Sequence, residues 1–394
     1  MNVNWTKSTL GDSLSLIRNG VNCKQDKSGI GDKISRIETI ASAQVNLERV
    51  GFSILTKEQK EKYKLQQGDI LFSHINSTVH VGKTAYIDDD YPLYHGINLL
   101  LIRAADNIDP GYLELFLRGL FWSGYWERIC KKSVNQASVN QTDIKKTPFQ
   151  YPPLEEQKQI VAKLDQCFEA IDKAKANAAK NLENAKELFQ SKLNEIFSQK
   201  GEGWVEKKLG DAYDVRDGTH DSPKYQDNGF PLITSKNLKN GLITLDKIKY
   251  ISEDDYLSIN KRSKVDVGDI LFAMIGTIGN PVVVRNEPDF SIKNVALFKV
   301  SKNNDSDFLR YYLEYSTKVM RDEAKGTTQK FVGLGYLRNF TISLPDLDTQ
   351  KKVVCQLKRL NKQTQSLESK YQQELNSLEE LKKSILQKAF EGEL

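Results

Sequence analysis

YPPLEEQKQIVAKL, residues 151–164, and LPDLDTQKKVVCQL, residues 344–357, are two versions of one motif. Each sets a proline and acidic residues ahead of apolar positions spaced three and four apart, which is how an amphipathic helix begins. From Leu154 to Phe197 there is no Gly or Pro. Positions 161, 164, 168, 171, 175, 178, 182, 185, 189, 192 and 196 form a mostly apolar stripe, with Lys175 and Lys192 as exceptions. After the second copy, Leu357, Leu360, Thr364, Leu367 and Tyr371 keep the same rhythm, and Leu375, Leu378, Leu381 and Ile385 shift its phase as a stutter would. The 193-residue offset holds without a gap from Gln157/Gln350 to Phe197/Phe390, so the two helices have equal length, roughly 65 Å at 1.5 Å per residue. Such stripes must be covered. Leu164, Phe168, Ile171, Leu182 and Phe189 of the first helix and Leu357, Leu360, Leu367, Leu378 and Ile385 of the second are the seam candidates for an antiparallel coiled coil and for docking of other subunits.

Outward from this motif the duplication continues. GDILF stands at 68–72 and at 268–272, Trp5…Leu10-Gly11-Asp12 recurs as Trp204…Leu209-Gly210-Asp211, and Asp109 to Leu113 matches Asp305 to Leu309. Order is kept while the offset stays between 193 and 200. In GDILF, Gly-Asp is turn chemistry and Ile-Leu-Phe suits a buried strand, so Asp69 and Asp269 read as structural. Short β-rich runs and one helical stretch precede each long helix, which predicts an α+β or α/β globule in each half. The expected organisation is 1–153 globule, 154–198 helix, 199–345 globule, 346–394 helix and tail. Antiparallel pairing of equal helices implies a near-circular pseudo-twofold arrangement, with the C-terminal AFEGEL meeting the first globule much as Phe197–Trp204 meets the second.

The chain has 394 residues and a formal charge of +5. The two helical stretches, 155–198 and 346–394, carry 16 basic and 16 acidic residues, so the whole surplus belongs to the globules. That permits phosphate contact there. No apolar run is long enough to span a membrane, the start lacks a secretory apolar core, and the four cysteines form no CxxC pair. A cytoplasmic protein is expected.

A search for catalytic groups finds none that is complete. VGKTA at 81–85 resembles the end of a phosphate loop but has Ser77 where the first glycine belongs. The Pro-Asp pairs at 288 and 345 lack the acid two residues before the lysine, and His74, His80, His95 and His220 have no metal-ligand spacing. What differs most between the halves is a set of acid-poor loops: 73–83 against 273–280, and 131–141 against 325–333, with 217–225 and 234–241 added in the second half. Amides, hydroxyls and lysines suit phosphate positioning and base-edge readout. The candidates are His74, Asn76, Ser77, Thr78, Lys83, Lys131, Lys132, Asn135 and Gln136 in the first half. In the second they are Thr219, His220, Lys224, Ser235, Lys236, Asn237, Lys239, Thr277, Lys325, Thr327, Thr328, Gln329 and Lys330. A constant framework with changed loops is expected when two copies read different ligands. A non-catalytic coiled-coil scaffold with two α/β domains and no DNA specificity is the alternative.

PPLEEQKQIVAKLD (152–165), LKKSILQKAFEGEL (381–394), GDILF, and DGTH…SP…GFPLITSKNL (217–238) together resemble the specificity subunit of type I restriction–modification enzymes. The resemblance covers essentially the whole chain. It implies two target recognition domains, each reading one half of a bipartite site in double-stranded DNA, in a system of DNA methylation and defence against foreign DNA. It implies helices that act as spacer and dock two modification (methyltransferase) subunits, and through them restriction subunits. It also implies no catalysis by this chain and no cofactor in it, S-adenosylmethionine, ATP and Mg belonging to the partners. The first half lacks DGTH.

Overall fold

The computed structural model describes residues 5–134 and 136–393. Contacts divide the chain into two compact units, Met1–Ala179 with Gln373–Leu394, and Lys180–Gln372. The cuts pass through both long helices, so each unit holds one globule and one segment of each helix.

In unit 1, strands β1 (Leu14–Asn19), β2 (Ile70–Phe72), β3 (Thr84–Tyr86) and β4 (Leu100–Ala104) form an antiparallel sheet in the order β1-β4-β2-β3. Helix α1 (Pro110–Trp122) follows, and the long α2 runs Leu154–Gln199. GDILF supplies β2, and all three of its apolar residues are fully buried. The pleat explains why three in a row can be apolar. Ile70 and Phe72 join one core cluster with Leu100 and Ile102, while Leu71 joins another with Leu101 on the opposite face.

Unit 2 repeats this with β5 (Asp214–Asp217), β6 (Ile270–Ala273), β7 (Gly279–Val283) and β8 (Val295–Lys299) in the order β5-β8-β6-β7. Helix α3 (Ser306–Asp322) and the long α4 (Leu347–Glu391) complete it. Ile270 and Phe272 face one cluster and Leu271 the other. Before each strand the glycine is left-handed, with φ of 91° at Gly68 and 93° at Gly268, a conformation glycine adopts without steric cost. Asp69 accepts the Gln66 N–H at 2.9 Å and a forked pair from Arg103 at 2.6 and 3.0 Å. Asp269 accepts the Asp266 N–H at 2.7 Å and pairs with Lys299. Both aspartates are structural, as their turn chemistry predicts.

The opening motif proves to be a joint. Gln157 and Gln350 are buried at 0% and 1% exposure. Gln157 accepts the Asp109 N–H at 2.8 Å and donates to the carbonyls of Pro152 and Asn107 at 2.8 and 3.1 Å. Gln350 accepts the Asp305 N–H at 2.8 Å and donates to the Pro345 carbonyl at 2.9 Å. Asp109 and Asp305 in turn cap α1 and α3 through the N–H groups of Tyr112 and Phe308. One amide therefore locks the start of each long helix onto the globule before it.

Within unit 1 the segments of α2 and α4 run antiparallel: Asp172 pairs with Lys382 at 2.8 Å and Lys175 with Glu379, so one index rises as the other falls. Lys175, the first exception in the α2 stripe, is thus tied to the facing helix. Leu386 and Ala389 lie in the core of unit 1, and the Phe390 ring meets Tyr112 and Phe116 at 5.0 and 5.4 Å. In unit 2, Phe197 at the end of α2 meets Phe308 and Tyr312 at 5.5 and 5.2 Å. These are the counterpart positions, so the C-terminal tail meets its globule as expected.

Of the seam candidates, Leu164, Phe168, Ile171 and Leu357 are buried, and Leu182, Phe189, Leu360, Leu378 and Ile385 are half-buried. Two expectations for α4 fail. Leu367 and Leu381 are exposed at 37% and 46%. The covered positions include Asn361, Thr364, Glu368, Tyr371, Leu375, Leu378, Lys382, Ile385 and Ala389, an unbroken three-four alternation. There is no stutter. Following leucines alone bends the predicted stripe, whereas Thr364, Glu368 and Lys382 carry the period through polar residues whose stems lie along the seam. Among the described residues no helix is long and apolar enough to cross a membrane.

Candidate nucleic-acid interface

The loops that differ between the halves are brought together at corresponding places. In unit 1, the strands Lys131–Ser133 and Gln136–Ser138 form a hairpin that pairs with Ile75–Asn76. This joins exposed Lys131, Lys132 and Gln136 to half-buried Asn76. Exposed Ser77 and half-buried Thr78 lie in the adjoining turn, where the Ser77 carbonyl accepts the N–H groups of His80 and Val81 at 2.9 and 3.0 Å. Gly82, in VGKTA, has φ of 88°, and a Cβ there would lie 2.1 Å from Trp126. Its role is to admit the indole. Lys83 is half-buried, donates to the Ala41 carbonyl at 2.7 Å, and has its pKa lowered by burial. Asn135 lies outside the described residues.

In unit 2 the same joint is made by other residues. Gly276 N–H donates to the Lys330 carbonyl at 3.0 Å, Val332 N–H to Met274 at 2.9 Å, and Lys325 and Phe331 exchange N–H bonds at 3.0 and 2.8 Å. Thr277, Lys325, Thr327, Thr328, Gln329 and Lys330 are thereby held in one exposed patch. Arg321, absent from the expected set, supports it from the end of α3 by donating to the Ile278 carbonyl at 2.7 Å, and its own carbonyl accepts Lys330 Nζ at 3.3 Å.

A second cluster in unit 2 surrounds Asn294, a non-glycine residue at φ of 53°. Thr219 O accepts its N–H at 3.1 Å, Ser235 donates to its carbonyl at 3.2 Å, and its side-chain oxygen lies 2.8 Å from Nδ1 of His220. Nε2 of His220 is 2.8 Å from Asp217, whose other oxygen accepts Arg262 at 2.8 Å. Both ring nitrogens thus face oxygen atoms. The bond to Asn294, then that to Asp217, raises the histidine pKa from its ordinary value. Lys224, Lys236 and Lys239 are exposed nearby in sequence.

Two candidates are corrected. Asn237 is buried at 5% exposure. Its oxygen accepts the Thr234 N–H at 3.0 Å and its amide donates to the Thr244 carbonyl at 3.0 Å, so it builds its own turn and offers no edge to a ligand. His74 is buried at 7%, and desolvation lowers its pKa. What it contributes is its carbonyl, which accepts the Val139 N–H at 2.9 Å and closes the joint of unit 1. In both cases a polar residue type signalled a ligand contact where the chain needed a local hydrogen bond.

Unit 1 has a counterpart of the Asn237 turn that sequence reading missed. Arg36 N–H donates to Thr39 Oγ1 at 2.9 Å, as Thr234 N–H does to Asn237, and Asn46 N–H closes on the Thr39 carbonyl at 2.9 Å, as Thr244 does on Asn237 at 2.8 Å. RIETI (36–40) and TSKNL (234–238) share no residue at matching positions. The common property is a side-chain oxygen that can accept from a backbone N–H three residues earlier.

This duplicated architecture matches the family model of the type I restriction modification DNA specificity domain twice, over residues 2–181 and 201–377. The chain belongs to the type I restriction–modification DNA specificity family. It is 32% identical to the MjaX specificity subunit of a type I restriction enzyme from Methanocaldococcus jannaschii, over 99% of this chain and 93% of that one. Similarity to the EcoKI specificity subunit of Escherichia coli is 27% over 47% of this chain and 40% of that protein. The fold resembles the HsdS subunit from Thermoanaerobacter tengcongensis, with a TM-score of 0.66 at 20% identity over 100% and 98% of the two chains. A chain from a type I R–M system structure gives 0.77 at 20% identity over 100% and 99%. As a specificity subunit with two recognition domains, the protein has its family role in sequence recognition on DNA. The scaffold alternative is not favoured.

Proposed function

We propose that each unit reads one half of a bipartite double-stranded DNA target through its joined loops: Asn76–Lys83 with Lys131–Gln136 in unit 1, and Thr277 with Lys325–Lys330 in unit 2. The cluster around His220 supports contacts in unit 2 alone. The observation that carries this reading is the paired joint. The same backbone pairing presents different exposed lysines, amides and hydroxyls in the two units. Lysines contribute sequence-independent phosphate attraction, and amides contribute base-edge hydrogen bonds.

In this reading the long helices separate the two readers and dock modification subunits, with restriction subunits added through them. The chain itself is not an enzyme and carries no cofactor. S-adenosylmethionine, ATP and Mg act in the partners, in the cytoplasm. The test is reconstitution. The purified chain should incorporate no labelled methyl group into DNA, and the chain with its modification subunit should methylate a two-part sequence. Methylation by the chain alone would overturn the proposal.

A further inference from the structure

Asn294 commits all but one of its polar groups inside unit 2. Its N–H, carbonyl and side-chain oxygen meet Thr219, Ser235 and His220. Its Nδ2 is open to solvent and donates to no other residue among those described. The amide is oriented from behind. Asp217 can only accept, so Nε2 of His220 carries a proton toward it at 2.8 Å. If Nδ1 is protonated as well, the amide offers its oxygen to the ring and turns its NH2 outward. If Nδ1 is bare, the amide donates to it and turns its oxygen outward. Asp217 on β5 and Arg262 on the helix Glu253–Ser263 are the charged groups that face the ring. Lys293, beside Asn294, is tied to Ser222 at 2.5 Å. The raised histidine pKa favours the arrangement with NH2 outward, which is the one observed.

Sheet register puts this amide beside the joined loops. Val295, the residue after Asn294, pairs with Ala273. From Ala273 the chain runs directly into Met274–Thr277, which form one side of the unit 2 joint. Neighbouring strands lie about 5 Å apart, so Asn294 and Thr277 stand at the same end of one sheet. Unit 1 keeps the asparagine and drops its support. Asn19 and Phe72 face Leu100 as Asp217 and Phe272 face Ala296, which aligns exposed Asn98 with Asn294. Asn19 therefore stands in the place of Asp217, and it accepts from Gln141 at 2.8 Å. Asn22 stands in the place of His220. The charged support belongs to unit 2.

We infer that Asn294 reads a guanine in the half-site of unit 2 through its outward NH2, and that His220, held by Asp217, is the positioning residue that turns the amide that way. The inference rests on the reading of unit 2 as a DNA reader and adds a residue and a base. An asparagine that pairs with adenine uses both its oxygen and its nitrogen, and here the oxygen is taken. A nitrogen with two N–H groups matches O6 and N7 of guanine, two acceptors side by side in the major groove.

The test measures competition binding by the full chain with its modification subunit on its own methylated target. Each guanine of the half-site assigned to unit 2 by domain exchange, on either strand, is replaced in turn by 7-deazaguanine, which lacks the N7 acceptor. At one guanine the wild type should lose about tenfold in affinity, and N294G should be insensitive to the replacement. Glycine adopts the φ of 53° without steric cost, and unchanged melting of N294G and H220L confirms folding. N294D, which offers acceptors in place of donors, should bind that guanine more weakly than N294G does. The wild-type preference should be present at about pH 6 and lost at about pH 9, as the ring gives up its proton, whereas H220L should show little preference at either. A half-site without guanine, or no guanine coupled to N294G, would overturn the inference while unit 2 remained a reader. Equal weakening of every sequence by N294G would also overturn it, by making the amide a phosphate contact. A wild-type preference that survives at the higher pH would overturn the role of His220. If no base change in that half-site altered binding, the reading of unit 2 itself would fail.

Discussion

The two units bury matching residues and expose different ones. Phe390 packs on Tyr112 and Phe116 where Phe197 packs on Phe308 and Tyr312. Gln157 and Gln350 make the same pair of bonds to a backbone N–H and a proline carbonyl. Yet Arg103, forked onto Asp69, is replaced by Lys299 on Asp269, and a pair on the short helix reverses its order from Glu-Arg to Arg-Glu. The difference teaches that geometry constrains this fold more than chemistry does. A buried aspartate requires a cation, and either will serve. A buried ring against the end of a long helix must have that volume.

If the framework is common and the loops carry the reading, exchanging residues 1–153 for those of a relative should replace one half of the methylated motif entirely and leave the other half intact. Sequencing methylated sites from cells carrying the hybrid checks this. A change in both halves would break the comparison at its base.

The two phenylalanines sharpen it next. Phe197 is 1% exposed and Phe390 half-buried. Phe197→Ala should cost about 3–5 kcal/mol in unit 2, and Phe390→Ala less in unit 1, read by denaturant unfolding of each variant. Equal losses would mean that the last turn of α4 is as firmly held as the last turn of α2.

Asn237 and Gln329 divide the buried from the exposed amide. Asn237→Ala should lower stability by about 1–3 kcal/mol through the orphaned Thr234 N–H and Thr244 carbonyl, with the recognised sequence unchanged. Gln329→Ala should leave the melting temperature alone and relax one base of the target, by about 1–3 kcal/mol for a bidentate contact. Melting curves and competition binding on single-base variants separate the two.

The smallest effect concerns His220. Its pKa is raised in the folded protein, so its contribution to stability is fully present below the ordinary histidine value and is lost as pH rises through the folded value. Because the ring is largely exposed, that contribution is a few tenths of a kcal/mol. His220→Gln should flatten the stability profile of the chain above about pH 6.5. A profile unchanged by the substitution would show that the cluster around Asn294 does not depend on the imidazolium.

Sequence reading reached the duplication, both long helices and the strand role of GDILF, because each depends on local rules: periodicity, turn residues and the absence of helix breakers. It reached the return of the C-terminal tail as well, since equal helices with apolar stripes leave few ways to be covered. It did not reach which polar side chains face outward. Asn237 and Gln329 are both amides in polar loops, and nothing local distinguishes one folded into its turn from one held at the surface. Nor did it reach the true seam of α4, where Thr364 and Lys382 are covered and Leu367 is not, because the facing helix decides which stripe is sheltered. Order along the chain determined the elements, and tertiary packing decided which side chains meet, since burial and charge act through distances that sequence separation does not set.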